Sequence, residues 1–171
     1  MIINQIEPFL EYYERVRERT RKLVVLIPPE LLEWTYKSGR FTLGDQVRHI
    51  AAIERWLYAE TVQGRPSQYS GCGPDLASGL ADTITYFDEM HQQSVAIFQS
   101  LTQEQLQAKI QTPGGQPITC WKWLRALVEH EIHHRGQMYL YLNMLNIKTP
   151  PIYGLTSEEV AHLSTPPAPT P

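Results

Sequence analysis

The segment Trp121-Lys122-Trp123-Leu124-Arg125-Ala126-Leu127-Val128-Glu129-His130-Glu131-Ile132-His133-His134-Arg135-Gly136-Gln137-Met138-Tyr139-Leu140-Tyr141-Leu142 contains no proline and a steady helical period. Trp123, Leu127, His130, His134, Gln137 or Met138, and Tyr141 follow one another in steps of three and four. That spacing places them on one face of an α-helix. The helix should begin after Thr119 and run to about Leu145, with Pro150-Pro151 beyond it. Its inward stripe carries two histidines one turn apart, so the helix has both a core to face and chemistry to present.

Three further long helices are expected. The first covers about Asn4 to Leu26 and is closed by Pro28-Pro29. Its apolar positions Ile6, Phe9, Leu10, Tyr13, Val16, Thr20, Leu23 and Leu26 recur at three and four. The second opens at Thr42, a good N-cap with Asp45 three residues on, and stops at Gly64. The third covers about Leu76 to Leu101, with Leu80, Ile84, Phe87, Met90, Ser94, Ile97 and Leu101 on a stripe. Thr102-Gln103-Glu104-Gln105 and Thr156-Ser157-Glu158-Glu159 are capping boxes for short helical turns. Pro113-Gly114-Gly115 should be a turn between two short extended pieces. Amphipathic helices of this length predict an all-α chain, a four-helix bundle with a short terminal helix. Residues 1–163 form the expected bundle and 164–171 a proline-rich, disordered tail.

Composition narrows the function classes. A length of 171 residues suits one domain with a real core, and 42% apolar against 19% charged residues is ordinary for a soluble protein. The net charge of −3 gives no electrostatic footprint for nucleic acid or an acidic membrane. Arg15, Arg17, Arg19, Arg21 and Lys22 alternate with Glu14 and Glu18, the pattern of a solvated helix face. Cys72 and Cys120 make neither a redox pair nor a zinc-finger spacing. The N-terminus has no basic region and apolar stretch of a signal peptide, so a cytoplasmic location with reduced cysteines is expected.

His130 and His134 are candidate metal ligands. Residues four apart on a helix have Cβ atoms about 5–6 Å apart, and two imidazoles so placed can reach one cation at roughly 2.0–2.1 Å each. The HxxxH spacing by itself is common, and a lone His49 would ordinarily be a hydrogen-bonded core or boundary histidine. His133, about 100° round the helix from His134, falls at the stripe's edge. For a third ligand, His49 is the best placed, since Ala52, Ile53 and Trp56 share its helix face. His91 should be exposed beside its stripe, and His162 lies near the tail. Gln137 could orient a ligand, Tyr141 and Trp56 could line a pocket, and Arg135 should face a surface or interhelix partner.

His130-Glu131-Ile132-His133-His134-Arg135-Gly136-Gln137, followed by Tyr139 to Asn143 and Pro150-Pro151, resembles the C-terminal signature of the DinB/YfiT-like family. Thr42 to Ile50 resembles that family's first ligand helix, and the likeness runs from about Ile3 to Tyr153. The resemblance implies a four-helix bundle, homodimers, and a divalent metal held by His49, His130 and His134. Three protein ligands leave a position for a water or a thiol. The implied chemistry is therefore thiol-dependent transfer, with a low-molecular-weight thiol, or metal-assisted hydrolysis of a small-molecule substrate. Zinc, nickel, iron and manganese all suit such a site.

Two other readings compete. His130-Glu131-Ile132-His133-His134 also fits the HExxH pattern of zinc proteases, with Glu131 as general base and Glu158 or Glu159 as a third ligand. Such an enzyme needs a strand edge beside the helix, and this chain offers almost none. A non-catalytic metal-binding or stress-response bundle is the other alternative, since no acid–base residue stands out beyond the histidines.

Overall fold

Reciprocal capping starts three of the helices, at Thr42, Thr102 and Thr156. Asp45 N–H donates to Thr42 Oγ1 at 2.9 Å and Thr42 N–H donates to the Asp45 carboxylate at 3.0 Å, which opens α2 (Leu43–Ile53). Thr102 and Gln105 form the same box ahead of α5 (Gln103–Gln107). A computed structural model describes residues 2–164. Within it α1 (Ile6–Val24) is followed by a 3₁₀ turn at Pro29–Leu31. A π-helical turn, Glu54–Tyr58, joins α2 to α3 (Ala59–Val62). Then come α4 (Gly79–Gln99), α5, β1 (Lys109–Gln111), β2 (Pro117–Thr119), α6 (Cys120–Met144) and α7 (Ser157–Ser164).

The chain is predominantly helical, as its periodicity predicts. The β1–β2 hairpin sits where the glycine-rich turn is expected, antiparallel with Ile110 opposite Ile118. The expected tail lies outside the described residues, apart from Ser164, which ends α7. Among the described residues, no helix is long and apolar enough to cross a membrane.

Both α1 and α2 pack against α4 and α6, so the four neighbour one another in a ring. Two apolar clusters fill the interior. One gathers Phe9, Tyr13, Phe98, Leu124 and Leu127, and the other Leu43, Val47, Phe87, Met138 and Leu142. Burying each such side chain contributes about 1.5–3 kcal/mol. Between the clusters lies a layer of buried ionisable side chains: Arg17 on α1, Glu54 in the π turn, His91 on α4 and Glu131 on α6.

That layer corrects two sequence expectations. Arg17 does not belong to a solvated face; it is shut inside, paired with Glu54 and with Glu131 at 3.2 Å. His91 is not exposed; its two ring nitrogens meet Glu54 at 2.8 Å and Glu14 at 3.1 Å. Arg135, expected to meet a surface or interhelix partner, is buried and donates to the Val16 carbonyl of α1 at 3.3 Å. A lone charge is expensive to bury, so its pattern points to water; partners from other helices offset part of that penalty. The α4 stripe is also rotated from the expected one, burying Thr83, Phe87, Met90, His91, Ser94 and Phe98.

Candidate metal centre

The facing sides of α2 and α6 bring His49, His130 and His134 together. One ring nitrogen from each lies within 4.8 Å of the other two. The Nε2 atoms of His49 and His130 are 3.1 Å apart. Nitrogens bound to a single ion at roughly 2.0–2.1 Å can be at most about 4.2 Å apart, so this pair meets the requirement. Ring centroids are 4.5 Å apart for His130–His134, 4.6 Å for His49–His134 and 5.0 Å for His49–His130.

Neighbouring groups set the tautomers. His134 Nδ1 faces two amide oxygens, Gln46 Oε1 at 2.6 Å and Gln137 Oε1 at 3.0 Å. Both only accept, so Nδ1 carries the hydrogen and Nε2 keeps its lone pair. Gln137 is oriented in turn by donating to His133 Nε2 at 3.0 Å. His49 Nδ1 lies 2.8 Å from the Tyr69 hydroxyl. His130 Nδ1 is the exception, buried without a hydrogen-bond partner. Its Nε2 faces His49 Nε2, where a shared cation would sit.

Burial lowers all three imidazoles below their ordinary range. His49 and His134 fall to about 4, and His130 to about 3. Desolvation is the main cause, and charge on neighbouring histidines adds to it for His130 and His134. The rings are therefore neutral at pH 7, the state in which histidine ligates metals. The donor set, its protonation and its spacing all fit a divalent ion.

Loops close over the cluster from outside. Phe41 stacks on His134 and meets His49 edge-on, with centroids at 6.2 and 5.1 Å. Arg48 anchors these loops. Fully buried, it donates to Glu33, Asp45 and the carbonyls of Cys72 and Ala77. Beside His134 a cavity of about 540 Å³ opens, and Gln46, Gln137 and Tyr141 line it. Trp56, an expected pocket residue, packs into the apolar core instead.

The structure brings the three histidines together with Gln137 beside His134, and leaves His133 exposed outside the cluster. Sequence reasoning misses Gln46, although Gln46 stands one helical turn before His49 on the same face. It also misses Tyr69 and Phe41, loop residues that carry no periodic signal. Glu131 does not join the cluster. It accepts from Thr20 Oγ1 at 2.6 Å and faces Arg17, buried toward α1. There it cannot serve as the base of a protease.

A family model for the DinB superfamily matches residues 12–138, which include all three histidines. The chain belongs to the DinB superfamily. Among its relatives is the Bacillus subtilis protein YrdA, 30% identical over 163 residues that cover 91% of this chain and 92% of YrdA. Bacillus subtilis YjoA is 34% identical over 125 residues, 70% of this chain and 79% of YjoA. The crystal structure of a DinB-like protein from Bacillus cereus ATCC 10987 superposes with a TM-score of 0.76 at 22% identity, covering 88% of this chain and 99% of that one. The YjoA crystal structure gives a TM-score of 0.70, covering 86% of this chain and 98% of that one. These superpositions show that the DinB-like architecture extends over most of the chain.

Proposed function

We propose that this DinB-superfamily chain is a four-helix-bundle, cytoplasmic metalloenzyme that binds a divalent ion at His49, His130 and His134. Its reaction is transfer to a low-molecular-weight thiol or hydrolysis of a small molecule. One observation carries the reading: three neutral imidazoles from two helices converge, with Nε2 of His49 and His130 3.1 Å apart. When bound, such an ion leaves room for a further ligand and makes that ligand more acidic. The chain's own residues do the rest. Gln46 and Gln137 hold the His134 ring by its Nδ1 hydrogen, and Tyr69 holds His49. Phe41 shields the rings from bulk water on the loop side. Zinc, nickel, iron and manganese are the candidate ions, and a homodimer is the proposed assembly.

Elemental mass spectrometry on untagged protein tests this directly. About one ion per chain is expected, lost in His49→Ala, His130→Ala and His134→Ala but kept in His133→Ala and Glu131→Gln. Retention of the ion in any of the three ligand variants would refute the assignment of that residue. Thiols and electrophiles are then screened against the loaded protein, with the metal-free form as control.

A further inference from the structure

The cavity beside His134 has a distinct chemical character. Tyr36, Phe41, Leu140, Tyr141 and Met144 form its walls, and Arg40 stands at the rim. Four of these apolar side chains are unusually exposed: Tyr36 at 51%, Phe41 at 37%, Leu140 at 58% and Met144 at 51%. Exposed apolar groups gathered around one concavity mark a binding surface rather than ordinary scatter. A volume of about 540 Å³ falls within the range of small-molecule sites. No aspartate or glutamate lines it, and no carboxylate among the described residues pairs with Arg40. The floor is the buried His134 with the amides of Gln46 and Gln137.

We infer that this cavity takes a small molecule with an aromatic or apolar body and an anionic group held by Arg40. Its role as a substrate rests on the metal-enzyme reading above; its binding does not. The apolar body covers the exposed walls, and the anion meets the one charged side chain of the lining. A second copy of the chain fits less well. A twofold contact brings the same patch to itself, and that patch offers no carboxylate for Arg40.

The test is calorimetry on the full chain, zinc-loaded and zinc-free, with 4-phenylbutyrate, 4-phenylbutanamide and 4-phenylbutylammonium. These probes share a body and differ only in head charge. The acid is expected to bind about tenfold more tightly than the amide, and the ammonium more weakly still. In zinc-free Arg40→Gln the acid and amide should bind alike, with amide affinity unchanged. Met144→Glu should reject the acid more than the amide. Equal binding of all three probes, or a head-group preference that survives Arg40→Gln, would overturn the inference. So would absence of binding, whether the chain is monomeric or sediments as a dimer that Leu140→Glu dissociates; the dimer would mean a second copy covers this face. A histidine set that binds no metal leaves the zinc-free comparison intact, so the two readings fail separately.

Discussion

Gln46 Oε1 lies 2.6 Å from His134 Nδ1, so a side chain of α2 fixes the ring of a residue on α6. The contact ties helix packing to site geometry. A shift of α2 along α6 would move His49 and break the Gln46 contact to His134 at once.

Removing that hydrogen bond should weaken the site without dismantling it. Gln46→Leu is expected to lower zinc affinity by roughly 10- to 100-fold, the usual effect of losing a group that orients a histidine ligand. Competition against a chromogenic chelator reads it. An affinity equal to wild type would show that Gln137 alone holds the ring.

Among the described residues, Arg17 is the one guanidinium paired with both buried carboxylates, Glu54 and Glu131. Arg17→Met would leave Glu54 and Glu131 buried without their counter-charge. A loss of about 3–5 kcal/mol is expected in urea unfolding. The triple variant with Glu54→Gln and Glu131→Gln should recover part of it, because neutral amides cost less to bury than carboxylates.

Two helical glycines should respond oppositely to alanine. A Cβ at Gly44 would come within 2.9 Å of the Arg48 guanidinium and 3.0 Å of Glu33 Oε1. Gly44→Ala should therefore destabilise by about 1–3 kcal/mol and loosen the loops that Arg48 holds. A Cβ at Gly136, exposed inside α6, meets nothing within 4 Å. Gly136→Ala should stabilise by about 0.5–1 kcal/mol. Thermal melts of the two variants, run side by side, decide the matter.

The metal-free protein should lose stability as pH falls. His49, His130 and His134 have folded-state values of about 4, 3 and 4, below the ordinary 6.5. Between these limits the unfolded chain binds more protons than the folded one, so stability rises with pH there. The contribution is complete above about 6.5 and is lost progressively toward pH 4. Melting temperatures from pH 8 to pH 4 should show the decline, and His130→Leu should show a shallower one. Identical slopes in both proteins would contradict the burial of a neutral His130.

Much of this was legible because it is local. Thr42 with Asp45, Thr102 with Gln105, and the turn at Pro113-Gly114-Gly115 depend on residues a few positions apart. The His130–His134 pair follows from one helical turn. The π turn at Glu54–Tyr58 had no such signal, since neither proline nor glycine marks it. It lies where Glu54 turns inward to Arg17 and His91, groups supplied by α1 and α4.

Beyond what the family resemblance implied for His49, the sequence by itself determined the helices, their caps and the one-turn spacing of His130 and His134. Each follows from backbone periodicity and short-range hydrogen bonding, which act within one stretch of chain. Tertiary structure alone decided which polar residues go inside, how Gln46 and Tyr69 hold the histidine rings, and that a cavity opens at Arg40. Burial of Arg17 and His91 is tolerable only when carboxylates from distant segments arrive beside them. The cavity exists only where a loop and the far end of α6 meet.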